Sequence, residues 1–198
     1  MRIVVGLGNP GREYAASRHN VGFMVVERLA ARWRIALGRR GRGLRTGAGA
    51  VGGGPIMLVQ PQRYMNMSGE ALTQLDASWS VPELIVVHDD MDLAAGQLRV
   101  RHDGGDGGHR GVASLTSQFG RDFDRVRVGI GRPAQGMDPE PYVLMELTPA
   151  ELSDFDQVVE RAADAVECLV IEGIDRAMNR FNTRAERVPA LRETSESR

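Results

Sequence analysis

The sequence has one cysteine and no lysine at all. A single thiol, Cys168, cannot build a disulfide framework or a cysteine-based metal site. It falls on the apolar face of a helical pattern with Val158, Val159, Ala162, Val166 and Leu169, where it reads as a small buried hydrophobe. All 25 basic residues are arginine, so the position of positive charge is more informative than its kind. No apolar stretch approaches the ~18 residues of a membrane span, and no charged leader with an apolar core opens the chain. A soluble, cytoplasmic protein without a membrane partner is the expectation. Internal repeats and linkers are missing as well.

What is present suits one domain. With 198 residues, 42% of them hydrophobic, the chain can bury a core of ordinary size. A single α/β domain is expected over residues 1–182, followed by a polar C-terminal tail at 183–198. The net charge of −1 is unevenly spread: residues 1–60 carry ten arginines against two glutamates, +8, which leaves −9 for the remainder. The N-terminal third therefore reads as a face for a polyanion, with Arg39 to Arg45 as a basic loop able to track phosphates.

Apolar, β-rich runs at 2–7, 56–60, 83–88, 97–101 and 125–131 predict strands. Helical spacing predicts helices at 21–33, 68–79, 112–119, 149–172 and 174–181. Strands alternating with helices imply a twisted, mostly parallel sheet with helices on both faces. The short loop before 97–101 adds an antiparallel element, so the sheet is mixed. Function in such folds gathers where loops leave the carboxyl ends of strands. Four loops follow predicted strands: GNPG, PQRYMN, HDDMD and GGDGGHRG.

Two familiar patterns fail on inspection. Gly6, Gly8 and Gly11 spell G-x-G-x-x-G, but polar residues through Asn20 delay the helix, and the region near Ala30 to Arg32 is a basic helix where a dinucleotide site needs an acidic strand end. His88, Asp89, Asp90 and Asp92 resemble a divalent-metal cluster, yet the other loops offer mostly Asn, Gln and Gly, so neither metal nor cofactor is expected. What the loops do bring is His19, Asp89, Asn9 and Asn66. A neutral histidine can take a proton from water if an acceptor holds its other ring nitrogen, and amides can polarise a carbonyl. That is equipment for water attacking an acyl group.

The stretches GLGNPGREYAASRHNVGF, QPQRYMNMSGEAL, LIVVHDDMDLAAGQLRVR, GGDGGHRGVASL, RVRVGIGRP and AMNRFN, in this order, resemble the bacterial peptidyl-tRNA hydrolase family over nearly residues 1–182. The resemblance implies a monomeric, cofactor-free esterase whose partner is peptidyl-tRNA, with no role for DNA. It implies His19 as catalytic base, Asp89 as the carboxylate that holds it, and Asn9 as the residue separating blocked peptidyl esters from free aminoacyl esters. Tyr64 and Asn66 match a substrate-binding pair, and Tyr14 a position where a ring can stack on a base. Arg110 stands where the family most often has a substrate-binding Asn. His88, His102 and His109 read as structural, although His109 lies in a loop able to border the site. Arg99 and Arg101 alternate on one strand and so share a face, a platform for RNA phosphates. The alternative reading is a non-catalytic RNA-binding protein on the same fold.

Overall fold

The computed structural model describes residues 1–40, 43–75 and 79–182. Its elements run β1 (Arg2–Gly6), α1 (Val21–Arg32), β2 (Gly38–Arg40), β3 (Leu44–Val51), β4 (Gly54–Pro61), α2 (Ser68–Leu72), β5 (Leu84–Asp90) and β6 (Leu98–His102). They continue with α3 (Arg110–Phe119), β7 (Asp124–Gly129), α4 (Pro139–Leu144), α5 (Pro149–Glu172) and α6 (Ile174–Phe181). The seven strands form one sheet in the order β2-β3-β4-β1-β5-β7-β6. β4, β1, β5 and β7 are mutually parallel at its centre. β2, β3 and β6 extend the sheet with antiparallel pairings.

The central strands read as continuous apolar runs because both faces are covered. Successive residues of β1 point to opposite sides: Val4 joins a core made with α1, α5 and α6, whereas Ile3 and Val5 join a second core made with α2 and α3. α1 packs unusually close to the sheet at one point. A Cβ on Gly22 would stand 2.5 Å from the carbonyl oxygens of Leu7 and Val87, so only glycine permits the approach. That contact brings the turn just before α1, which carries His19, against the end of β5.

The N-terminal edge departs from the sequence reading. Arg39 and Arg40 belong to β2 and Arg45 to β3, so the expected basic loop is a β-hairpin whose turn lies partly outside the described residues. Small residues at 47–50 carry little periodic signal, and pairing with β4 supplies what propensity does not. The helix expected at 68–79 ends at Leu72, with a turn after it; 76–78 and the tail from 183 lie outside the described residues. Several arginines of the N-terminal third are tied into ion pairs. Arg18, Arg28, Arg32 and Arg45 each meet a carboxylate: Glu151; Asp156 and Glu160; Glu160, Asp164 and Glu167; and Glu27. Among the described residues, no helix is long and apolar enough to cross a membrane.

Candidate active site

Asn9, Tyr14, His19, Tyr64, Asn66, Asp89 and Arg110, drawn from four segments of the chain, line one cleft of about 480 Å³ at the carboxyl edge of the parallel strands. Met65, Met91, Val143 and Leu144 give it an apolar floor and side.

Asp89 lies inside the carboxyl end of β5 rather than in the loop beyond it, and only 3% of it is exposed. Its Oδ1 meets two histidines, His19 Nδ1 at 2.8 Å and His109 Nε2 at 2.9 Å. Burial pushes the Asp89 carboxyl up, but His109 and His19 together outweigh it and hold the group well below the usual carboxylate range. An ionised Asp89 accepts, so His19 carries its proton on Nδ1 and offers the lone pair of Nε2 for a proton.

Asn9 follows β1 and is clamped by Asn20. The Asn9 amide donates to Asn20 Oδ1 at 2.8 Å, and Asn20 Nδ2 donates to the Asn9 carbonyl at 2.9 Å. Asn9 Oδ1 then accepts the backbone N–H of Met65 at 2.8 Å. The Met65 contact takes one lone pair of Oδ1 and fixes the orientation of the amide, whose Nδ2–H groups have no other partner among the described residues and can donate to a carbonyl in the cleft. Asn66 is exposed, and its side chain engages no partner among the described residues. The Tyr64 ring is 62% exposed beside it.

Arg110 is the first residue of α3 and is exposed. The loop ahead of it could have paired it with Asp106; instead its guanidinium makes a two-pronged contact with Glu140 of α4, at 2.9 and 3.2 Å. Asp106 Oδ1 accepts from the Gly108 amide. The pair bridges two walls of the cleft.

The glycine-rich loop does not leave from the edge the sequence suggested. β6 is antiparallel, so residue 103 starts at the opposite edge and the loop crosses the sheet face to reach Asp89. Buried Arg125 holds it there, donating to the carbonyls of Gly105 and Gly104 at 2.6 and 2.7 Å while stacking over Phe123. Burial, and then the charge of Arg101, push this guanidinium down to about 10. In the β6–β7 register Arg99 faces Arg127 and Arg101 faces Arg125, so four arginines share one sheet face. Arg127 is tied to Asp90 at 2.6 Å.

His88 is fully buried, donates from Nδ1 to the Asp89 carbonyl at 2.7 Å, and is pushed down to about 3 by burial. His102 lies at the far end of β6, between Asp122 and Asp124, and the hydrogen bond to Asp124 pushes it up. Neither faces the cleft. The sequence reading took His109 as structural in a loop able to border the site, and passed over Asn20 and Glu140. For the first two the available signal was their place directly before a helix. Glu140 had none, because α4 is short.

His19, Asp89 and His109 could each offer a ligand atom to a cation. A metal would need the proton of His109 Nε2 moved to Nδ1, where the amides of Gly111 and Val112 already donate at 3.1 and 3.3 Å. The trio is built as a hydrogen-bonded chain, and its donors do not suit a metal.

The fold and the cleft define a class, that of hydrolases on a mixed α/β sheet in which a histidine–carboxylate pair and amides stand ready without a serine or cysteine among the described lining residues. A family profile described as peptidyl-tRNA hydrolase matches residues 3–189, and the chain belongs to that family. It is 44% identical over 187 residues to a peptidyl-tRNA hydrolase of Bacillus thuringiensis, covering 92% of this chain and 100% of the relative. It is 43% identical over 189 residues to one of Streptomyces avermitilis, covering 91% and 93%. The crystal structure of peptidyl-tRNA hydrolase from Acinetobacter baumannii superposes with a TM-score of 0.85 at 34% identity, covering 92% of this chain and 95% of that one. Membership in this family does not favour the alternative of a non-catalytic RNA-binding protein.

Proposed function

We propose that this chain hydrolyses peptidyl-tRNA, as its family membership indicates, through a water molecule that His19 deprotonates. The observation that carries the residue assignment is the 2.8 Å contact of His19 Nδ1 with buried Asp89, which leaves Nε2 free as the proton acceptor. Water oxygen bonds to the ester carbonyl carbon as its proton passes to Nε2. The ribose oxygen then leaves with that proton, giving free tRNA and a peptide carboxylic acid that ionises. Asp89 stabilises the transient imidazolium. Asn9 donates to a carbonyl of the peptide, and Asn66 with Tyr64 and Tyr14 bind around the ester and the terminal base.

Arg110 assists binding of the tRNA 3′ end, with Glu140 as the partner from which phosphate or ribose must draw it. Arg99 and Arg101 receive phosphates of the acceptor region. The reading includes a cytoplasmic monomer acting without DNA, membrane or cofactor. The decisive test is release of peptide from N-acetylaminoacyl-tRNA by purified protein in excess chelator, compared with His19→Ala. The variant should lose roughly 10²- to 10⁴-fold in kcat while tRNA affinity is kept. Near-normal turnover by the variant would remove His19 from the role.

A further inference from the structure

His109 is more constrained than the histidine it stands beside. Its ring lies 4.9 Å from those of both His19 and His88. As the residue just before α3 it caps that helix, with Nδ1 accepting from the amides of Gly111 and Val112. An atom that accepts two N–H groups carries no proton, so the ring proton sits on Nε2. There it donates to the same Asp89 Oδ1 that holds His19. Protonating His109 would aim an Nδ1–H at two amide hydrogens in a nearly buried setting.

Resting on the reading of His19 as base, we propose that His109 is a positioning residue that fixes Asp89 Oδ1 and takes up part of its charge through a tautomer locked by the first turn of α3. The carboxylate is thus shared between the Nδ1–H of His19, whose Nε2 remains open, and the Nε2–H of His109, whose Nδ1 is already taken by two amides. The acceptor is held still for His19, and its pull on the imidazolium is moderated, so Nε2 stays available for a proton from water.

The other charged groups around the trio are accounted for. His88 lies behind His109 on β5 and is kept neutral by burial, Asp90 is tied to Arg127, and Arg110 to Glu140. From the turn and helix flanking His19, Arg18 is paired with Glu151 and Tyr142 donates to the Ile130 carbonyl. Asp106 and Asp138 accept from the amides of Gly108 and Glu140, and Tyr14 and Tyr64 line the cleft. Among the described residues, His109 is the one side chain besides His19 that hydrogen-bonds the Asp89 carboxylate.

The capping and donating functions of His109 separate by substitution. Asn reproduces the cap acceptor but falls short of Asp89, whereas Gln places a donor near the position of Nε2 and loses the cap. The experiment follows ¹⁵N signals of the histidine rings through a pH titration in wild type, His109→Asn and His109→Gln, together with the pH profile of kcat/KM on N-acetylaminoacyl-tRNA and thermal unfolding. In wild type His109 should hold the Nε2–H form throughout the range in which His19 titrates.

In His109→Asn the His19 titration and the acid limb of kcat/KM should both move up by about one pH unit with the fold intact. His109→Gln should stay close to wild type in both, even at a lower melting temperature. The opposite pattern, Asn restoring everything and Gln nothing, would reduce His109 to a helix cap. A His109 that protonates alongside His19 would overturn the locked tautomer. If His19 shifts by ¹⁵N but the kcat/KM limb does not follow, the charge sharing stands and the base assignment of His19 is what fails.

Discussion

At the residue scale, the cleft is specified by which atoms are already used. Asn9 is oriented by the bond its oxygen accepts from Met65, which leaves its Nδ2–H groups to recognise a carbonyl. A peptidyl or N-acyl ester brings that carbonyl, and a free aminoacyl ester brings a charged amine in its place. Asn9→Ala should narrow the ratio of kcat/KM for N-acetylated over free aminoacyl-tRNA, chiefly by slowing the acetylated substrate; an unchanged ratio would leave Asn9 as a turn residue. Arg110 is already spoken for in a different way, held by Glu140 across the mouth of the cleft. Because both groups are exposed, the pair itself is worth little. A phosphate or ribose contact predicts a higher KM and a shallower salt slope for Arg110→Ala. Glu140→Gln, which frees the guanidinium, should instead lower KM. Identical KM and salt slope in all three proteins would confine Arg110 to tethering α4.

At the element scale, the turn bearing His19 is fastened from the far end of the chain. Thr148 caps α5 with Pro149 behind it, and the Thr148 amide donates to Glu151 at 2.8 Å while Thr148 Oγ1 accepts from the Glu151 amide. Glu151 also receives Arg18 Nη2 at 2.5 Å, and the Arg18 guanidinium lies 4.7 Å over the Tyr142 ring. One carboxylate thus joins a helix cap to the residue next to His19. Thr148→Ala should cost about 1 kcal/mol, the worth of a cap. Glu151→Ala should cost more, about 2–3 kcal/mol, because it also leaves a mostly buried guanidinium without its carboxylate. Urea denaturation ranks the two. Equal losses would mean that Arg18 gains nothing from Glu151.

At the scale of the whole molecule, acid should act through groups that the fold will not let protonate. The unfolded chain takes up a proton on His88 below about pH 6.5, whereas the folded one resists until about 3, because burial disfavours the charged ring. Stability fully present above pH 6.5 is therefore lost progressively as pH falls towards 3. Asp89 acts in the same direction lower down, since its folded carboxyl is held below its unfolded value of 3.8. The urea midpoint should fall steadily from about pH 7 to pH 4. A His88→Gln variant should show a flatter slope over that interval, and a slope as steep as wild type would assign the acid sensitivity elsewhere.

The apolar runs and helical spacings by themselves determined the α/β class, the parallel centre of the sheet and most of its helices, because burial on both faces leaves a period that survives any arrangement in space. The loop motifs likewise contained the members of the cleft, since His19, Asp89, Asn9 and Asn66 are rare chemistry in glycine-rich surroundings. Three things were decided only by the tertiary structure. The strand at 44–51 exists because β4 offers it a partner, not because its small residues prefer extension. Arg18, Arg28 and Arg32 are spent on carboxylates of α5 more than 120 residues away, so a charge count along the chain could not tell paired arginines from free ones. And His109, which reads as structural in a loop able to border the site, becomes the second donor to Asp89, because an antiparallel β6 sends its loop back across the sheet and an arginine beneath holds it there. Local pattern reports what each residue can do, whereas which atom it spends on which neighbour depends on contacts between segments far apart in the chain.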